Sequence, residues 1–218
     1  MLSGYDPALA SLLIASLILA VVLFGTHGLH ALSTIAFSGT ILAVLATSAV
    51  AFVFVNGLRL SGYGSDASVY LNFATEGSLD LAGLLLGSII IGVLGILDDV
   101  SITQASVVAE LKSTNSRLTA YELYQHAIKV GRDHVGSLVN TLALAYVGAA
   151  LPLILLFSTS NAPISFTLNQ EVIAAELARI IIGSIGLILA VPLTTLIAAW
   201  WFGKHGVSSA SIEARHHH

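Results

Sequence analysis

Five stretches of this 218-residue chain are each long and apolar enough to cross a bilayer, and that constrains the fold before any other feature is read. A helical span needs about 20 apolar residues, and the runs lie at about 8–25, 31–55, 79–109, 135–158 and 177–202. Lipid offers no partner to a backbone N–H or C=O, so each run is expected as a helix that satisfies itself. The predicted fold class is all-α, a polytopic membrane helix bundle of five transmembrane helices with short interfacial helices between them. Charged residues make up only 9% of the chain, against about 25% in soluble domains, so a soluble domain of ordinary size does not fit beside the spans. Residues 1–205 read as one transmembrane domain and 206–218 as a C-terminal tail, whose closing His216-His217-His218 reads as part of an affinity tag.

Local punctuation supports the division. Asp6-Pro7 reads as an N-cap followed by proline in the first helical position. A short link holding His27 and His30 forces the first two spans into a hairpin. Ser65-Asp66 can cap a short interfacial helix over 67–75. Thr119 and Glu122 form a capping box, which opens an amphipathic segment (Leu123, Ala127, Ile128, Val130) expected to lie on the membrane surface. Pro152 falls near the end of the fourth span. Pro192-Leu-Thr-Thr195 reads as a kink whose hydroxyls help satisfy freed carbonyls, and Trp200-Trp201 as an aromatic belt. Lys112, Arg117, Lys129, Arg132, Lys204 and Arg215 fall on one side of the spans and Arg59 and Arg179 on the other. The positive-inside rule then predicts a cytoplasmic C-terminus and an outside N-terminus. That orientation, without a signal peptide, points to sequence upstream of Met1.

Several function classes are disfavoured. The net charge is −4 and no basic cluster is present, whereas a nucleic-acid groove needs converging Lys and Arg. With no cysteine, thiolate chemistry, disulfides and Cys-based metal sites drop out. No nucleophile elbow, Walker loop or HExxH motif occurs, so neither an enzyme nor a cofactor is expected. His27 and His30 alone are weak support for a metal.

The informative residues are Asp98 and Asp99. No other charge lies between Asp80 and Glu110, and the midpoint of that interval is about 5 Å from the pair along a helix. Carboxylates at such depth are costly and usually mark ion or proton pathways. Ser88, Gly92, Gly95, Asp99, Thr103, Ser106 and Glu110 recur at spacings of 4, 3, 4, 4, 3 and 4, which places them on one stripe expected to face protein or water. A short span ending at Leu97, with the two acids at its interfacial end, is the bland alternative. Two adjacent carboxylates do not readily ionise together at low dielectric, so the pair is expected to titrate as a unit and to suit proton carriage. In the fourth span His134, Ser137, Thr141, Ala145, Gly148 and Pro152 form a second small and polar stripe with Asn140 beside it. Asn140 and Thr141 are the expected neighbours of the carboxylates. Arg132-Asp133-His134, with Glu110, reads either as a gate or as a local ion pair anchoring the helix.

Gly92-Val-Leu-Gly-Ile-Leu-Asp-Asp-Val-Ser-Ile-Thr-Gln104, Gly131-Arg-Asp-His-Val-Gly-Ser-Leu-Val-Asn-Thr141, Ala145-Tyr-Val-Gly-Ala-Ala-Leu-Pro152, Gly183-Ser-Ile-Gly and Val191-Pro-Leu-Thr-Thr195 closely resemble the YibE/F family of bacterial membrane proteins, over about His27 to Trp201. The resemblance implies that these five helices are the C-terminal portion of a longer parent. More distantly, five spans with an Asp-Asp pair in the third are similar to spans two to six of a resistance-nodulation-division permease half, the superfamily of SecD and SecF. That likeness implies proton uptake and release at Asp98 and Asp99. The superfamily's relays also use a lysine from the opposite half, and no Lys or Arg occupies the middle of a span here.

The functional expectation is a proton-coupled, or sodium-coupled, permease module of the bacterial inner membrane. Its partners are the lipid bilayer and either a second copy or a second permease half. Asp98, Asp99, Thr103, Asn140 and Thr141 form the relay, and Arg132, Asp133, His134 and Glu110 the possible gate. The alternative is a non-transporting scaffold whose buried polar residues specify helix packing and assembly. A sodium site would need Asp98 and Asp99 to converge with Thr103, Asn140 or Thr141 as oxygen ligands.

Overall fold

The computed structural model describes residues 6–159 and 163–206, so the tail and its histidines lie outside the described residues apart from Gly206. All regular structure among the described residues is helical: α1 Pro7–His27, α2 Ala31–Gly57, α3 Asp66–Ala74, α4 Leu81–Thr114, α5 Ala120–Ala149, α6 Leu151–Ser158, α7 Ile164–Leu168 and α8 Glu171–His205. Four of these (α1, α2, α4 and α8) are long and apolar enough to cross a membrane, and α5 with α6 makes a fifth candidate span bent by 55°. The bend follows from Pro152, which has no N–H to give and whose ring collides with the preceding turn. The chain is a polytopic helical bundle.

The helix starts follow their sequence signals. Asp6 Oδ1 accepts from the Ala8 N–H at 2.8 Å with Pro7 at the first helical position. Ser65 caps α3 by accepting from the Ser68 N–H at 3.2 Å. At α5 the capping box closes in both directions: Glu122 Oε2 accepts from the Thr119 N–H at 2.8 Å, and Thr119 Oγ1 accepts from the Glu122 N–H.

One segment departs from expectation, and one proline is carried within its helix. The amphipathic stretch after Thr119 does not lie flat as a separate surface helix; it is the first half of α5 and continues into the fourth span. Its apolar side, with Leu123 and Ala127 fully buried, packs in one cluster with Ala105 and Val108 of α4 and Ala198 and Phe202 of α8. Burial against two neighbouring helices outweighs the interfacial position its polar face suggested. Pro192 does not break α8, which runs through it. Thr195 Oγ1 donates to the Val191 carbonyl at 2.6 Å, while Thr194 donates across to Ser101 of α4 at 3.1 Å. One hydroxyl stays on its own helix and the other joins two.

α4 and α8 form the centre of the bundle. α4 packs against α1, α2, α5 and α8, and α8 against α2, α4 and α5. Glycine is required where α2 crosses α8, because a Cβ on Gly186 would stand 2.7 Å from Thr47 Oγ1 and one on Gly39 would collide with the Thr194 side chain. Small residues replace the hydrophobic effect as the basis of close packing in lipid. Opposite the basic end, Glu171 pins the turn after α2 by accepting from Ser61 Oγ and the Gly62 N–H, each at 2.6 Å.

Candidate functional site

Asp98 and Asp99 sit near the middle of α4, with no helix break beside them and fifteen residues still to run to Thr114. The residues that follow, Val100, Ser101, Gln104, Ala105 and Val108, are buried in the bundle. The helix itself therefore does not end at the pair. Helix α1 supplies a depth scale. Pro7 and Ser11 pack on Gly83 and Gly87, and that offset, carried along two parallel helices, sets Asp98 and Asp99 opposite Val22 and Leu23. They lie a little over one turn inside α1's last residue, His27, and so in the half of the span nearer the basic end.

The two carboxylates face differently. Asp98 is half-buried, and its Oδ1 is enclosed without a hydrogen-bond partner. Asp99 is exposed on the flank of the bundle. The predicted stripe on α4 is real as a stripe: Ser88, Gly92, Gly95, Asp99, Thr103 and Glu110 are all exposed and Ser106 is partly so. The same holds on α5 for His134, Ser137, Asn140, Thr141, Ala145 and Gly148. Among the described residues, no neighbouring helix comes within 4 Å of where a Cβ on Gly95 or Gly148 would sit.

Register along the two antiparallel helices follows from Gly131 against Gln104, and from Leu142 with Val93 around Gly183. Ser137 is level with Asp98, and Asn140 and Thr141 are about one turn away along the axis. Thr141 donates to the Ser137 carbonyl at 3.1 Å, not to a carboxylate. Thr103 shares the α4 stripe with Asp99, and among the described residues no hydrogen bond joins Thr103, Asn140 or Thr141 to either carboxylate. Arg132, Asp133 and His134 are exposed at the start of the fourth span, and Arg132 and Asp133 form no ion pair. Arg132 instead lines a groove between α5 and α8.

Two polar groupings stand outside the expected set. Gln104 is buried between helices, its Nε2 donating to the Ala127 carbonyl at 2.9 Å and to Thr195 Oγ1 at 2.7 Å. An amide in an otherwise apolar run is the available sequence signal, but it falls off the stripe containing Asp99. Arg179, counted among flanking charges by the sequence reading, lies two turns inside α8. It is ion-paired with Glu176, and Ser88 Oγ is 3.5 Å from its guanidinium. A Glu three residues before an Arg within an apolar helix is the signal for this pair.

No curated protein and no solved structure matches the chain. The fold of apolar helices with a two-faced acidic pair carries the motifs between His27 and Trp201, and the family match extends beyond them over residues 1–204 and all five spans: the chain belongs to the family described as YibE/F-like protein.

Proposed function

We propose that this chain is a proton-coupled permease module in which Asp98 and Asp99 take up and release protons. The observation that supports it is the asymmetry of the pair: one carboxylate oxygen of Asp98 is enclosed and unpartnered, while Asp99, its neighbour in sequence, opens onto the flank. An enclosed, unbonded carboxylate is costly as an anion and tolerable as an acid, and two adjacent carboxylates share protons as a unit. One elementary charge crossing 100 mV is worth about 2.3 kcal/mol, enough to bias a conformational equilibrium about fiftyfold. In this reading Asp98, Asp99, Thr103, Asn140 and Thr141 line the relay. His27, with Arg132, Asp133, His134 and Glu110, guards its approach from a cytoplasmic basic end.

The likeness to half of a resistance-nodulation-division transporter belongs to the same proposal. Polar groups at membrane depth are poorly solvated by lipid, so an exposed Asp99 inside the span calls for a second half, and a second copy of this chain is the simplest one. Proteoliposomes carrying an imposed pH gradient test the reading. Proton movement by the wild type that is lost in Asp98→Asn and Asp99→Asn, with folding intact, supports it; equal movement in all three removes it. Replacing sodium with potassium leaves the flux unchanged if the ion is a proton.

A second reading, a non-transporting scaffold, draws on the buried pairs Gln104–Thr195 and Ser101–Thr194, which tie helices together without any proton to move. It predicts that Asp98→Asn and Asp99→Asn alter assembly with no pH-dependent flux to lose.

A further inference from the structure

We propose that the groove between α5 and α8 holds one anionic phospholipid, its phosphate on Arg132 and an acyl chain along Gly136, Val139, Ile188 and Pro192. The groove has a volume of about 450 Å³, and its lining contains one charged group, Arg132, and no acid. Arg132 has no ion-pair partner among the described residues, and the neighbouring Asp133 does not neutralise it. The groove is lined by neither Asp98 nor Asp99, and lipid binding at Arg132 does not require proton movement through them.

Three observations select the occupant. First, the groove lies between α8 and α5, both parts of candidate membrane spans, so a bilayer lipid is the occupant nearest to hand. Second, Arg132 is level with the end of α1: Gly131 meets Gln104, and the α1 offset brings His27 beside Thr103. The guanidinium is therefore at headgroup depth, while Gly136, Val139 and Ile188 continue from it into the apolar layer. Third, this end of the bundle carries Lys112, Arg117, Lys129, Arg132 and Lys204 against Glu110, Glu122 and Asp133, five basic residues to three acidic, a net positive field that favours anionic lipid, and basic pockets between membrane helices bind such headgroups. The groove exists because Gly136 contributes no side chain to it and nothing stands within 4 Å of where its Cβ would be.

The test uses the full chain purified in detergent. Retained lipid is read by native mass spectrometry and the thermal midpoint is followed on adding phosphatidylglycerol, phosphatidylcholine of the same chains, or inorganic phosphate alone. The wild type should hold phosphatidylglycerol about tenfold more tightly than phosphatidylcholine, the value of one charge-assisted contact. Arg132→Ala should erase that preference, Arg132→Lys should keep part of it, and Lys129→Ala should leave it intact. Gly136→Leu, which the open space lets fold, should reduce retention of both lipids by filling the chain's path. Any one of four results overturns the proposal: no preference in the wild type, a preference that survives Arg132→Ala, undiminished retention in Gly136→Leu, or a full midpoint shift with inorganic phosphate alone.

Discussion

Gln104 of α4 donates to Thr195 of α8 at 2.7 Å, and its amide also reaches the Ala127 carbonyl of α5, so one side chain joins three helices. Thr195 remains satisfied without it through Val191. Gln104→Leu should therefore cost only about 1 kcal/mol, the usual scale of interhelical hydrogen bonds in lipid. Gln104→Ala, which adds a cavity, should cost more. Reversible unfolding in mixed micelles gives both values; equal losses would mean that the amide contributes bonding and that its volume adds nothing.

The crossing of α2 and α8 depends on Gly186 having no side chain. Gly186→Ala puts a methyl 2.7 Å from Thr47 Oγ1, and overpacking of this kind costs about 1–3 kcal/mol. Thr47→Ala should restore much of the loss. A double-mutant cycle checks this, and a coupling energy near zero would place the strain elsewhere.

Glu171 holds the turn after α2 through Ser61 and the Gly62 N–H. Glu171→Ala removes both bonds and leaves the ends of α2 and α8 joined only by packing. Amide exchange at residues 62 and 63 should accelerate by about tenfold, corresponding to one charge-assisted bond, while exchange in the middle of α4 stays unchanged. Uniform acceleration across the bundle would instead show that Glu171 supports the whole fold.

Asp98 and Asp99 should respond unequally to neutralisation. Asp98→Leu removes an enclosed, unbonded oxygen and should stabilise the bundle at neutral pH by about 1–3 kcal/mol. Asp99→Leu acts on an exposed flank and should change monomer stability by less than about 0.5 kcal/mol. Thermal unfolding of the two variants distinguishes them, and the reverse order would contradict the orientation of the pair.

The sequence by itself determined where α1, α3 and α5 begin, because capping and proline geometry are local. Asp6-Pro7, Ser65 and the Thr119–Glu122 box act within one turn, and Pro152 bends the chain where it stands. It also determined that Ser88, Gly92, Gly95 and Asp99 share a face, since helical periodicity is local as well. Only the tertiary structure decided what each face meets. Gln104 and Asp99 lie on one helix five residues apart; one is enclosed by α5 and α8 and the other opens outward. In water, apolar residues identify the buried side of a helix. In a bilayer the lipid-facing side is equally apolar, so composition cannot distinguish a face that packs on a neighbouring helix from one that does not. The positions of Gln104, of the Glu176–Arg179 pair and of the uncovered α4 and α5 stripes follow from which helices touch, and that depends on contacts among residues far apart in the chain.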